Sequence, residues 1–83
     1  MSADHDLPPL PDEPKPGFFR HYKGGRYEVI AVARHSETLS PMVVYQALYG
    51  ERGLWVRPAE MWNEWITVAG KRVRRFASIT DDI

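Results

Sequence analysis

Short runs of aromatic and β-branched residues, separated by turn signals, follow one another through the middle of this 83-residue chain. Residues 27–35 read Tyr-Glu-Val-Ile-Ala-Val-Ala-Arg-His, and such a run of aromatic and β-branched residues predicts a strand. Further strands are predicted at 42–49 and 54–57, joined by a tight turn at Gly50–Gly53. The two central glycines of Lys23–Arg26 predict a hairpin turn before the first of these strands, because glycine adopts positive φ without steric cost.

The rest of the domain continues this pattern of short strands. Residues 18–22 precede the first hairpin turn, and residues 65–68 and 73–79 are predicted strands around a turn at Gly70. Pro58 fixes a helical φ and predicts one helical turn over residues 58–62. Five or six short strands with one helical turn predict an all-β fold, a small SH3-like β-barrel.

The first 16 residues break the pattern with prolines at Pro8, Pro9, Pro11, Pro14 and Pro16. Proline lacks the donor N–H, so this spacing disfavours both a helix and sheet pairing. We predict a disordered, acidic, proline-rich arm over 1–16, a barrel domain over 17–79 and an acidic tail over 80–83. The arm is either a solvated tail or a ligand for an SH3 or WW module.

The formal net charge of zero hides a segregation of charge. Residues 17–79 carry ten Lys/Arg and five Asp/Glu, a net charge of +5, whereas residues 1–16 carry −3 and residues 80–83 carry −2. A basic domain attracts polyanions such as nucleic acid, although the same excess also keeps a small domain in solution. The densest basic cluster is Lys71, Arg72, Arg74 and Arg75, for which a charged edge strand that discourages aggregation is the alternative.

Length and composition narrow the class of protein. The chain is long enough for one domain, and without cysteine it has no disulfide or thiolate site. No apolar run approaches the ~20 residues of a membrane span, and the acidic N-terminal residues lack the apolar region of a signal peptide. We therefore expect a cytoplasmic protein with no membrane partner.

Several short motifs follow one another in a fixed order between residues 17 and 79. They are His21-Tyr22-Lys23-Gly24, Tyr27-Glu28-Val29, Ala33-Arg34-His35-Ser36-Glu37-Thr38, Val43-Val44-Tyr45, Leu48-Tyr49-Gly50, Trp55-Val56-Arg57-Pro58, Met61 and Arg75-Phe76. In these motifs the chain resembles the bacterial domain-of-unknown-function 1653 (DUF1653) family. The resemblance implies a small, often stand-alone protein with an SH3-like barrel and no established activity, cofactor or catalytic residue. The chain departs from that pattern at Trp62, where phenylalanine is common, and at Val73-Arg74-Arg75, where a proline often precedes the arginine.

His35, Ser36 and Glu37 lie where a strand ends and a loop begins, a place where functional residues concentrate. A small hydrolase or transferase would use Ser36 as nucleophile and a histidine as its base. Neighbouring residues of an extended chain point to opposite sides, so that base would be His21. In the structural alternative, Ser36 and Thr38 bond to the backbone of a turn and Glu37 pairs with an arginine. A metal site from His21, His35 and Glu37 has no supporting spacing, and we expect no metal and no cofactor.

Trp55 and Arg57 share one face of a short strand, and Leu54 and Val56 share the other. If the second pair packs inward, Trp55 and Arg57 form an outward surface that stacks bases or grips a peptide. Tyr45 or Tyr49 of the neighbouring strand would lie beside it. For so small a domain, however, the sequence favours a core position for Trp55. Trp62 and Trp65 are predicted to cover one opening of the barrel, and an exposed one would be a protein-contact candidate.

The leading hypothesis is a non-enzymatic binding module for single-stranded nucleic acid or a peptide. Its predicted ligand surface comprises His21, His35, Glu37, Tyr45, Trp55 and Arg57, with Lys71, Arg72, Arg74 and Arg75 as accessory basic residues. The alternatives are the small hydrolase or transferase that uses His35, Ser36 and Glu37, and a homo-oligomeric structural protein such as a homodimer.

Overall fold

The computed structural model describes residues 7–79, so the predicted tail over 80–83 and the first six residues of the predicted arm lie outside the described residues. Between residues 7 and 79 the chain forms seven strands and one short helix. In chain order these are β1 (Gly17–His21), β2 (Arg26–Arg34), β3 (Pro41–Ala47), β4 (Leu54–Pro58), α1 (Ala59–Trp62), β5 (Trp65–Val68), β6 (Lys71–Arg74) and β7 (Phe76–Ser78). The predicted all-β class is confirmed. The predicted boundaries at residues 17 and 79 stay predictions.

Two local predictions differ from the structure. The single strand expected over 73–79 is divided at Arg75, because the Arg75 N–H donates to the Glu64 carbonyl (2.9 Å) while its carbonyl accepts from the Tyr22 N–H (3.0 Å). At Arg75 the chain stops pairing with β5 and begins to pair with β1. Pro58 is the last residue of β4, with an extended ψ of 137°, and the helix begins at Ala59.

Five strands form one antiparallel sheet in the order β4-β3-β2-β1-β7, and β5 and β6 form a separate hairpin. The β2–β3 pairing contains an irregularity between Val29 and Ala31, and a bulge of this kind bends the strand and increases its twist. The bend brings the two edge strands of the sheet towards each other. The guanidinium carbon of Arg57 on β4 lies 5.3 Å from the ring centre of Phe76 on β7.

The core lies on the inner face of this bent sheet. Its buried members are Phe19, Val29, Val43, Tyr45, Ala59, Trp62 and Phe76. The Trp62 ring stacks on the Phe76 ring, with 3.7 Å between centroids and 4° between planes. The sequence predicted Trp62 and Trp65 as covers of an opening, which is wrong for Trp62. Because α1 packs against β3 and β4, it carries Trp62 into the centre of the core, and Trp65 stays half exposed.

Residues 7–16 form neither helix nor strand, yet they lie against the domain. Pro14 is buried. The Arg34 Nη2 donates to the Pro8 carbonyl (2.6 Å), and the Asn63 Nδ2 donates to the Glu13 carbonyl (3.1 Å). The disorder predicted for the arm stays a prediction. No helix within the described residues has the length and apolar character to cross a membrane.

Candidate ligand-binding cleft

The register between β3 and β4 determines where Trp55 and Arg57 point. Tyr45 stands opposite Trp55, and Val43 stands opposite Arg57. Residues directly opposite in an antiparallel pair lie on the same face of the sheet, and both β3 residues are buried in the core. Trp55 and Arg57 therefore lie on the inner face, and the residues that alternate with them lie on the outer face.

Trp55 is on the inner face but is 60% exposed. The core position that the sequence favoured for it is therefore wrong. The space beneath Tyr45 is already taken by Trp62, whose ring centre is 4.9 Å from that of Tyr45. Trp55 instead lies beyond the edge of the core, and its indole nitrogen is 3.5 Å from where a Cβ on Gly53 would stand.

Trp55 forms one wall of a cleft of about 370 Å³, which we call the aromatic cleft. Its lining residues are Tyr27, Tyr45, Ala47, Tyr49, Gly50, Glu51, Arg52, Gly53 and Trp55. This volume is near the lower end of the ~300–1,000 Å³ typical of small-ligand pockets. Four aromatic side chains in a cleft of this size favour a flat, apolar-faced group as the ligand.

The tyrosines of the aromatic cleft are held in place by one another. The hydroxyls of Tyr27 and Tyr49 share a hydrogen bond of 2.7 Å. The Tyr27 ring meets Tyr45 and Tyr49 edge-on, at centroid distances of 5.5 and 5.6 Å. Burial, reinforced by the hydrogen bond with Tyr49, raises the pKa of Tyr27 to about 12. Tyr27 is therefore uncharged at neutral pH, and the hydrogen bond and ring contacts fix the ring faces of the pair.

Arg57 adds a cation to the same face of the sheet. Its guanidinium lies over the Phe76 ring, an arrangement that attracts the cation electrostatically. The Arg57 Nε is buried and has no hydrogen-bond partner among residues 7–79. Arg75, by contrast, is held by Glu64, whose Oε1 lies 3.1 Å from both its Nη2 and its Nε. Among residues 7–79 no carboxylate pairs with Arg57, so its positive charge is left for a ligand.

His21 lies on the inner face at the end of β1. Its ring packs edge-on against Phe76 at 4.8 Å, and its Nδ1 accepts a hydrogen bond of 3.1 Å from the Lys23 N–H. Burial, followed by the positive charges of Arg75, Arg57 and Lys23, lowers the pKa of His21 below its ordinary 6.5. The positive potential that disfavours the imidazolium here favours a bound anion.

His35 and Glu37 lie at the other end of β2. Nine residues of β2 separate their loop from the His21 turn, a distance of roughly 26 Å at about 3.3 Å per residue. The Nδ1 of His35 accepts the backbone N–H groups of Glu37 (3.1 Å) and Thr38 (3.3 Å). The structure thus brings His21, Tyr45, Trp55 and Arg57 onto one face and places His35 and Glu37 elsewhere.

The loop at Ser36 does not assemble the geometry that the hydrolase alternative requires. Within the described residues Ser36 makes no hydrogen bond to a histidine, and His21 lies at the far end of β2. The turn bonding expected of Thr38 is present, since its Oγ1 accepts from the Ser40 N–H (3.2 Å). The ion pair expected of Glu37 is not among those of residues 7–79, and no group of three potential metal ligands occurs in that range.

The accessory basic residues do not share one surface. Arg72 and Arg74 flank the exposed ring of Trp65, each with its guanidinium 5.0 Å from the ring centre. Arg75 is held by Glu64 on the other side of the β6–β7 junction. Lys71 alternates with Arg72 and so lies on the opposite face of the hairpin. Trp65 stands directly opposite Arg74 in the β5–β6 hairpin.

The predicted ligand surface omitted two residues of the aromatic cleft, Tyr27 and Tyr49. A signal for Tyr27 was present, because it lies two residues before the buried Val29 and therefore shares the core-facing side of β2. Tyr49 was the expected alternative to Tyr45 beside Trp55, on a strand predicted to run to residue 49. The strand β3 instead ends at Ala47, and Tyr49 reaches the cleft from the turn that follows.

The chain is similar to proteins of one known family. The DUF1653 family model, described as a protein of unknown function, matches residues 17–78. The chain is also similar to a crystal structure of a DUF1653 protein from Bordetella bronchiseptica, with 36% sequence identity and a TM-score of 0.74. That match covers 81% of this chain and 88% of the other. No curated protein matches the chain.

Proposed function

The chain belongs to the DUF1653 family, as its motifs predicted, and we propose that it is a non-enzymatic module that binds single-stranded nucleic acid. The single observation that carries the proposal is the meeting of an exposed tryptophan, an exposed tyrosine and an arginine without an ion pair among residues 7–79 on one concave face. These residues are Trp55, Tyr49 and Arg57. Because the family is described only as being of unknown function, the proposal rests on this geometry.

Stacking supplies the first part of the interaction. Trp55 is 60% exposed and Tyr49 is 51% exposed, and both line the aromatic cleft. Every base has a π face, so stacking on aromatic side chains is tolerant of sequence and contributes about 1–3 kcal/mol per base. We expect one base to enter the aromatic cleft and lie against Trp55.

Charge supplies the second part. Arg57 presents a planar fork of donors that matches phosphate oxygens. Together with Arg75 and Lys23 it adds to the effect of burial in lowering the pKa of His21. Residues 17–79 carry a net charge of +5, which attracts a polyanion over a longer range. We expect the phosphate next to the stacked base to contact Arg57.

These features favour nucleic acid over a peptide. The side chains whose charges act on His21 are all cations, namely Arg75, Arg57 and Lys23. Glu51 is the one acidic residue that lines the aromatic cleft, and Arg52 stands next to it. We also propose a cytoplasmic location, because single-stranded RNA is available in that compartment.

The testing experiment is an amide NMR titration of the full chain with a mixed-sequence single-stranded RNA at low and at moderate salt. We expect shifts at Tyr49, at Arg57 and at the indole N–H of Trp55, with an affinity that falls as salt rises. Each phosphate contact contributes about −0.7 to the slope of log affinity against log salt. If these signals stay unmoved at low salt, where electrostatic contacts are strongest, the nucleic-acid proposal is wrong and a peptide becomes the candidate ligand.

A further inference from the structure

A second and larger groove lies at the opposite end of β3 from the aromatic cleft. It encloses about 720 Å³, and we call it the arm groove because the N-terminal arm forms one of its walls. Its lining residues are Pro9 and Pro11 from the arm, with His35, Ser40, Pro41, Met42, Pro58, Ala59, Glu60 and Asn63 from the domain. Nothing in the nucleic-acid proposal uses this groove.

The domain holds the arm through its backbone. Arg34 donates to the carbonyl of Pro8 at 2.6 Å, and Asn63 donates to the carbonyl of Glu13 at 3.1 Å. A proline-rich segment has no internal hydrogen bonds, so its carbonyls are free to accept from a receptor. Two donors aimed at carbonyls five residues apart recognise an extended, proline-rich chain rather than one particular side chain.

The contact between arm and domain also has matching chemistry. The arm presents Pro9 and Pro11 to Met42 and Pro58, and Pro14 is itself buried. Residues 7–16 carry Asp12 and Glu13 against Lys15, and the groove lining contains Glu60 but no lysine or arginine. The match is therefore apolar. The volume left between them shows that the arm spans the groove without filling it, so larger apolar side chains would fit in place of its prolines.

We propose that the arm groove is a recognition site for an extended, proline-rich segment of another protein, and that the chain's own arm lies across this site in cis. A groove that is occupied in cis binds a ligand in trans with an affinity reduced by the fraction of time the groove is open. Release of the arm therefore increases the affinity for the partner segment. The arm groove and the aromatic cleft lie at opposite ends of β3 and share no lining residue. Either proposal can therefore be wrong without affecting the other.

The test adds a synthetic peptide of residues 7–16 to two forms of the full chain. One is the unchanged chain, and the other carries P9G, P11G and P14G, which loosen the arm and leave every domain residue unchanged. We expect the peptide to shift the amide signals of His35, Met42 and Asn63, and to bind the released form about ten-fold more tightly because the competing arm is gone. A peptide with all its prolines replaced by alanine is the matched control and should leave these signals in place.

Two results would overturn the proposal. The first is a released form with a dispersed, folded spectrum that shows no shift in the arm groove. The second is equal affinity in the two forms, which would mean that the arm does not compete for the groove. Adding Asn63→Ala to the released form should weaken peptide binding by about ten-fold, as expected for the loss of one hydrogen bond. An unchanged affinity would also count against the proposal.

A measurement on the unchanged chain does not depend on the released form. The amide order parameters of Leu10, Asp12 and Glu13 should be well above the value of about 0.6 that marks a flexible segment. Asn63→Ala should lower them, and the same substitution should leave RNA binding at the aromatic cleft unchanged. Order parameters of a flexible segment in the unchanged chain would show that the arm does not occupy the groove.

Discussion

The inner face of the sheet has a closed half and an open half, and the same kinds of side chain line both. Trp62 in the closed half is 1% exposed, whereas Trp55 in the open half is 60% exposed. Both halves adjoin Tyr45, which contacts Trp62 and stands opposite Trp55. The difference is what packs over each half. In the closed half α1 lies against β3 and β4, and its Trp62 stacks on Phe76 of the edge strand β7. In the open half Trp55 and Tyr49 are left exposed.

This comparison shows that facing inwards and being buried are separate properties in a domain of this size. The face on which a side chain lies follows from its register in the strand. Its burial depends on which other elements arrive above it. In the closed half the aromatic contacts stabilise the fold, and in the open half equivalent rings are left for a ligand.

The largest effect is expected in the closed half. Trp62→Ala removes the ring stacked on Phe76 and should lower the free energy of unfolding by about 3–5 kcal/mol. For a small domain this is a large fraction of the total, which is roughly 5–15 kcal/mol. Urea denaturation of both tryptophan variants measures the contrast. Trp55→Ala should change the free energy of unfolding by less than about 1 kcal/mol, and equal losses in the two variants would contradict the division into halves.

The next effect is on binding in the open half. Trp55→Ala should weaken the binding of single-stranded RNA by about 1–3 kcal/mol, or roughly 5- to 150-fold, because one stacked base loses its platform. Leu54→Ala is the matched control, since Leu54 is equally exposed on the outer face of the same strand. Fluorescence anisotropy with a labelled RNA gives both affinities. A similar loss in the two variants would mean that the inner face is not the binding surface.

A smaller effect concerns the charge of the open half. Arg57→Gln should reduce the salt slope of RNA binding by about 0.7, which corresponds to one phosphate contact. Arg20→Gln provides a comparison at an exposed arginine that alternates with the inner-facing residues of β1. The measurement is affinity at several salt concentrations for each variant. An unchanged slope for Arg57→Gln would place the phosphate contact at another residue.

The smallest expected effect is a pH dependence of stability that arises from His21, whose ring packs against Phe76. Its pKa in the folded chain is lowered below 6.5 by burial and by Arg75, Arg57 and Lys23. The unfolded chain therefore binds the proton more readily. The stability that His21 contributes is present above pH 6.5, falls as the pH drops below that value, and levels off below the folded pKa. Protonation at Nδ1 would also remove the hydrogen bond from the Lys23 N–H.

Two measurements check this dependence. Urea denaturation gives the free energy of unfolding at about pH 8 and at about pH 5. The difference between the two values should be smaller for His21→Asn than for the unchanged chain. An NMR titration of the His21 ring should show that bound RNA raises its pKa, because a nearby phosphate offsets the positive charge of the arginines. A lower pKa in the complex would show that no phosphate lies near this face.

The runs of β-branched and aromatic residues between turn signals predicted β2 and β3, because strand propensity and turn residues are properties of the local sequence. The division at Arg75 had no such signal, since it results from a change of pairing partner between β5 and β1. The choice of Trp62 over Trp55 for the core is likewise a matter of tertiary packing. The hydrogen bond from Arg34 to Pro8 joins residues 26 positions apart, beyond the reach of any local pattern.

The candidate site was predictable to the extent that it lies on strands. Tyr45, Trp55 and Arg57 were found because alternation and pairing place them on one surface. His35 and Glu37 were included for their chemistry, and the structure instead uses the His35 ring to accept two backbone N–H groups of its own loop. Tyr49 was expected on the strand beside Trp55, whereas it lies in the turn after β3 and is held there by its hydrogen bond with Tyr27.

The pairing of β1 with β7 affects the order in which the strands assemble during folding. Strands β1 to β4 pair as successive neighbours, whereas Phe19 pairs with Ser78 from the far end of the domain. Long-range pairings require the closure of a long loop and slow the folding of β proteins. Because Phe76 lies on β7 and stacks on Trp62, docking of the last strand and completion of the core are one event. We expect the four-strand meander to form early and this docking to limit the folding rate.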